Sequence, residues 1–168
     1  MGRLMTSVTL TIRLPRSVME RLEKEASKAG TNLEGYVLEL LLRDVDDPLE
    51  RAREYVEVAR DLLEQAREEL GRGDVRQAAE KTWGVAAIAV KAYAEWREGR
   101  RLASHGELWE YKKVMEKEVG DWVYEVWAVA QSMHTCFYEG WCSSGDVEKA
   151  IGKVARLVGE VEKRVSQG

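Results

Sequence analysis

The sequence predicts a mainly α-helical chain in two parts. A short N-terminal segment holds one strand and two helices, and a longer antiparallel helical bundle follows. Three observations carry this. Only two prolines, Pro15 and Pro48, occur in 168 residues, which favours long helices over a turn-rich β architecture. Residues 7–14 alternate apolar and polar side chains, the period of a half-buried strand. From Pro48 onward apolar residues recur at steps of three and four, the period of amphipathic helices.

Each element has its own signal. Val8, Leu10, Ile12 and Leu14 share one face of the predicted strand; Thr9, Thr11 and Arg13 share the other. Pro15 stops it. Residues 16–28 switch to helical spacing, with Val18, Leu22 and Ala26 on the apolar stripe. Gly30 stands where a helix C′ residue turns left-handed. Thr31-Asn32-Leu33-Glu34 has the form of a capping box, with the Thr31 hydroxyl accepting from the Glu34 N–H. A second helix then carries Leu33, Tyr36, Val37, Leu40 and Leu41. Asp44-Val45-Asp46-Asp47-Pro48 is the candidate linker, dividing a domain at 1–45 from one at 46–168. Beyond it, helices are predicted over about 48–70, 75–98, 107–118, 120–139 and 147–165. Asp74 caps the second of these, and Ser143-Ser144-Gly145-Asp146 caps the last.

Composition narrows the function classes. No run of apolar residues is long enough for a membrane span, and nothing at the start reads as a secretory signal. A cytoplasmic protein is expected. Met1–Thr6 fits a loose myristoylation pattern, but these residues lead straight into the predicted strand. The net charge is −4, which disfavours general polyanion binding. Residues 1–45 are nevertheless net +1, and residues 1–19 hold Arg3, Arg13 and Arg16 with no acid. Nucleic-acid contact, if present, belongs there.

A strand and two helices cannot bury a core alone, and a lone strand leaves its backbone groups unpaired. Self-association through residues 8–14 is the simplest remedy. Two copies would pair their strands, and Thr9, Thr11 and Arg13 would face outward on a ribbon that fits the DNA major groove. The order Val8–Pro15, helix, Gly30-Thr31-Asn32-Leu33, helix resembles the ribbon-helix-helix family of DNA-binding proteins over about residues 6–44. The resemblance implies a homodimer on double-stranded DNA, with Thr9, Thr11 and Arg13 reading bases. It also implies a phosphate clamp in the backbone around Thr31, Asn32 and Leu33. Two of the three readers are short threonines, a departure from relatives with longer polar side chains.

The second part resembles the archaeal PaREP-type proteins, a HEPN-like helical family, over about residues 50–165. The resemblance rests on Ala78-Ala79-Glu80-Lys81-Thr82-Trp83, Ala86-Ala87, Val90-Lys91-Ala92, Trp127-Ala128, Met133-His134, Phe137-Tyr138-Glu139 and Asp146-Val147-Glu148. HEPN domains often carry an Arg-x4-6-His ribonuclease motif, in which His moves a proton and Arg stabilises phosphorane charge. No Arg stands at the matching distance before His134, where Trp127 to Ala130 lie. Arg100 and His105 satisfy the spacing outside the family's position, and His105 reads as an exposed loop residue. No catalytic residue and no cofactor is therefore assigned.

Trp127, Gln131, His134 and Tyr138 fall on one helical face, together with Tyr124 and Trp141. Such a stripe is core or interface by default, with a pocket for a base or small ligand as the alternative. His134, Cys136 and Cys142 match no zinc spacing, so no metal is expected. The two cysteines read as buried thiols, or as a disulfide at that helix end. The resulting expectation is a DNA-binding regulator of repressor or antitoxin type. Its helical half would bind a protein partner or small ligand and could extend the dimer to a tetramer. A HEPN-type ribonuclease or nucleotide-binding enzyme and a pure interaction module are the alternatives.

Overall fold

The computed structural model describes residues 7–168. The Met1–Thr6 pattern lies outside the described residues. Seven helices follow one another: α1 (Arg16–Lys28), α2 (Leu33–Leu42), α3 (Pro48–Gly71), α4 (Val75–Glu98), α5 (His105–Val119), α6 (Trp122–Glu139) and α7 (Ser144–Gln167). No helix among the described residues is long and apolar enough to cross a membrane.

The predicted strand is not formed. Residues 7–14 carry no strand assignment and are exposed throughout. Val8 is 92 %, Leu10 82 % and Ile12 63 % exposed. Among the described residues there is no strand or sheet, so the ribbon-helix-helix fold expected for residues 1–45 is corrected to a plain pair of helices. Alternation reports a local preference for extended backbone, but a sheet also needs a second row of N–H and C=O groups. The chain supplies none, because every later segment has helical periodicity.

The helical forecast holds closely, because helix ends are written in local chemistry. Gly30 takes φ 72°, and the Thr31 N–H donates to the Ala26 carbonyl while the Gly30 N–H donates to that of Ser27. This is a Schellman turn. Asp74 accepts from the Gln77 N–H, and Ser143 with Asp146 forms a complete capping box. One cap is shifted. Asn32, not Thr31, caps α2, accepting from the Gly35 N–H at 2.8 Å. The Thr31 hydroxyl finds no protein partner.

Helices α3, α4, α6 and α7 form the bundle, with α4 at its centre. Every residue from Thr82 to Glu95 is buried, so α4 is enclosed on all sides. Small side chains make this feasible: five alanines between Ala78 and Ala89, counting both ends, let the neighbouring helices approach. Leu62, Leu63, Trp83, Trp127, Val154 and Leu157 fill the core. Arg51 of α3 pairs with Glu95 of α4 at 2.8 Å, and Arg60 of α3 with Glu162 of α7.

Helices α1 and α2 form a hairpin seated on this bundle. Its seat is narrow and made of small or polar groups. Gly30 lies against the backbone of His105, where an added Cβ would stand 2.6 Å from the His105 Cα. The Asn32 amide rests on Gly84 of α4. Glu39 of α2 and Lys91 of α4 form an ion pair, with both side chains almost fully buried. Burial pulls the Lys91 ammonium below its ordinary pKa, against the opposing pull of the Glu39 carboxylate.

A candidate ligand cavity at the hairpin seat

The hairpin does not close flush on the bundle. Between the α1–α2 turn and helices α4, α5 and α6 lies a cavity of about 760 Å³. The hairpin contributes Glu23, Ser27 and Thr31 to its wall; the bundle contributes Gln77, Glu80, Gln131 and both histidines of the chain.

Each histidine is held by a different device. His105 is the first residue of α5. Ser104 fixes that helix start by accepting from the Glu107 N–H, and the Glu107 carboxylate accepts from the Ala103 N–H at 2.6 Å. One turn on, the Trp109 indole N–H donates to His105 Nε2 at 2.9 Å. An acceptor at Nε2 places the neutral ring's proton on Nδ1. Burial lowers the His105 pKa, and the neighbouring His134 lowers it further. His134 sits on α6, with Nδ1 3.1 Å from the carboxylate of Glu80 on α4. That carboxylate orients the ring and leaves Nε2 unengaged by this contact.

Trp83, fully buried on α4, ties the two together. Its ring lies 5.6 Å from His105 and 5.4 Å from His134. Trp127 packs edge-on beneath it at 5.0 Å. Tyr138 stands edge-on to His134 at 5.2 Å and is 63 % exposed, at the mouth of the cavity. Burial raises the Tyr138 phenol's pKa, as does the Glu80 charge.

The expected residues are redistributed. Gln131, His134 and Tyr138 line the cavity as one stripe, while Trp127 is 1 % exposed and packs below it. Thr31, Asn32 and Leu33, expected at a DNA phosphate, line the same cavity. Thr9, Thr11 and Arg13 are exposed and do not line it. His105, read as an exposed loop residue, is instead helical and half-buried. Arg100 packs over the Tyr111 ring at 5.6 Å and does not line the cavity, so the Arg100–His105 spacing assembles no ribonuclease pair there. Glu23, Gln77 and Glu80 were not singled out. Glu80 and His134 are 54 residues apart, and no periodicity links them. Cys136 and Cys142 are joined in a disulfide, which fastens the end of α6 to the following turn.

Among the described residues the fold and its cavity define an all-helical protein with a polar–aromatic recess open to solvent. The chain belongs to the archaeal PaREP1/PaREP8 family, which matches residues 54–158. That match starts inside α3 and leaves the hairpin outside it. A crystal structure of a protein from Sulfolobus solfataricus is similar, with a TM-score of 0.57 and 24 % identity. The similarity covers 63 % of this chain and 94 % of that one, and it establishes the shared fold. No curated protein matches the chain.

Proposed function

We propose that this PaREP chain is a small-molecule binding protein whose ligand lodges between the α1–α2 hairpin and the bundle. One observation carries the reading: both histidines of the chain, from different helices, reach one cavity, each with a dedicated partner. Positioned imidazoles in a recess of this size are typical of ligand sites, whose volumes run from about 300 to 1,000 Å³. The test is native mass spectrometry of the full chain after incubation with a low-molecular-weight cell extract. A non-covalent adduct is expected on the parent and not on Ser27→Trp, which fills the cavity from an exposed position. An equal absence of adduct on both rejects the reading.

A second reading, contact with DNA by a self-associated form, is favoured by the apolar side chains of Val8, Leu10 and Ile12 standing in solvent. A second copy would cover them, and Thr9, Thr11 and Arg13 would supply the DNA contacts. Sedimentation and a gel shift at several salt concentrations test it: Leu10→Asp should abolish both self-association and retention of DNA. A parent chain that is monomeric and retains no DNA rejects it.

A further inference from the structure

We propose that a second recess of the hairpin seam, independent of the large cavity, is an anion site that takes a dianionic oxyanion of the phosphate class between Arg43 and Arg101, with the Tyr55 hydroxyl as its inner donor. The recess has a volume of about 180 Å³ and shares no lining residue with the large cavity. Arg43 follows α2, Tyr55 stands on α3, and Arg101 lies on the segment between α4 and α5. Charge is the first argument. Arg43, Arg101 and Glu39 also line an adjoining recess of about 200 Å³, which α1 helps to wall. The acids of the two walls are Glu25, Glu39 and Glu95, and each has its cation. Lys28 pairs with Glu25 at 3.4 Å, Lys91 with Glu39, and Arg51 with Glu95 at 2.8 Å. Arg51 also donates to the Val45 and Asp46 carbonyls. Arg43 and Arg101 remain, with no side-chain partner among the described residues. The linker acids Asp44, Asp46 and Asp47 line neither wall. The surplus is two positive charges, which one dianion balances and a monocarboxylate does not.

Hydrogen bonding is the second argument. Tyr55 is 4 % exposed, yet no hydrogen bond among the described residues engages its hydroxyl. That oxygen is not sealed off, as those of Tyr93 and Tyr111 are. A nearly buried hydroxyl left open on a cationic wall offers its proton to an acceptor in the recess. Burial raises the Tyr55 phenol's pKa, as do the charges of Glu39 and Glu95, so it stays a protonated donor. Shape is the third argument. A guanidinium presents its N–H donors in a planar fork that matches phosphate oxygens, and two forks with one hydroxyl suit a group with three free oxygens. The volume lies below the range of about 300–1,000 Å³ common for larger ligands. The recess therefore takes one phosphate group with a small substituent, and not a nucleotide. Both arginines are exposed, so added salt weakens the attraction. The bound anion would join the end of α2 to α3 and to the α4–α5 segment, fastening the hairpin to the bundle at a second point.

Isothermal titration of the full chain with inorganic phosphate, glycerol phosphate and acetate tests this, at one ionic strength and about pH 8, where phosphate is a dianion. A phosphate compound should bind at one site, and acetate at least about ten-fold more weakly. Arg43→Gln/Arg101→Gln leaves no charge of the protein without its partner and should weaken phosphate binding at least about ten-fold. Tyr55→Phe, which keeps the ring, should weaken it by up to about ten-fold. Arg21→Gln/Arg53→Gln removes the same charge from residues that line neither recess and should leave binding unchanged. Tighter binding of glycerol phosphate assigns the site to a small ester, and tighter binding of inorganic phosphate to the free anion. Equal binding of acetate overturns the dianion, and an equal loss in Arg21→Gln/Arg53→Gln overturns the site. Heat from neither phosphate compound overturns the proposal outright. If a DNA duplex is then retained by the parent and released by Arg43→Gln/Arg101→Gln, the two arginines serve nucleic acid instead.

Discussion

The side-chain amide of Asn32 rests on the bare backbone of Gly84. Its Oδ1 accepts the Gly35 N–H and so starts α2; its Nδ2 lies 2.8 Å from where a Cβ on Gly84 would stand. One residue therefore caps the second helix and seats the hairpin on α4.

Gly84→Ala should accordingly force Asn32 aside. Losing the cap costs about 1 kcal/mol, and overpacking costs about 1–3 kcal/mol. The expected result is a lower denaturation midpoint and faster proteolysis in the 43–47 linker. Asn32→Ser, a shorter capping residue, should recover part of the loss in the Gly84→Ala background. Additive losses in the double variant would show that the two residues do not meet.

The Glu39–Lys91 pair is buried on both sides. Lys91→Met leaves a carboxylate without its counter-charge, and such losses run about 3–5 kcal/mol. Lys91→Met combined with Glu39→Gln should cost clearly less than the sum of the two single changes. Urea unfolding of the four chains of the cycle measures the coupling, and a coupling near zero contradicts the buried pair.

Acid should weaken the cavity wall through His105. Its pKa in the folded chain lies below the ordinary histidine value. The unfolded chain therefore takes up this proton first, and stability falls as pH drops from that ordinary value of about 6.5 through the folded one. Above that window the group contributes no pH dependence. His105→Gln, which can still accept from Trp109, should flatten the thermal midpoint between about pH 7 and pH 5. Parallel profiles for parent and variant refute the assignment.

The Cys136–Cys142 link closes a short loop, with a sequence separation of 6. Chain-entropy arguments give such a loop about 2 kcal/mol. The double variant Cys136→Ala/Cys142→Ala should lose about that much in denaturant titration, and reducing agent should bring the parent to the same value. A parent insensitive to reductant rules the link out as a stabilising element.

Much of the helical architecture was legible, because Asp74, Ser143 with Asp146, and Gly30 each mark an end through hydrogen bonds within a few residues. The Thr31–Asn32 choice was not, because either side chain can cap. Period-two patterning at residues 7–14 likewise described an extended backbone but not its pairing. The stripe of Gln131, His134 and Tyr138 was legible as one helical face. Its counterparts were not: Glu80, Glu23 and His105 join it only when α4, α1 and α5 are brought together in space. Proximity between separate helices leaves no spacing in the sequence.

The family segment begins within α3, yet part of the cavity wall comes from α1 and α2. On the proposed reading, exchanging the hairpin would reshape one side of the wall while the packed interior of the bundle stays as it is. The opposite side, with both histidines, belongs to the family segment and would carry over intact.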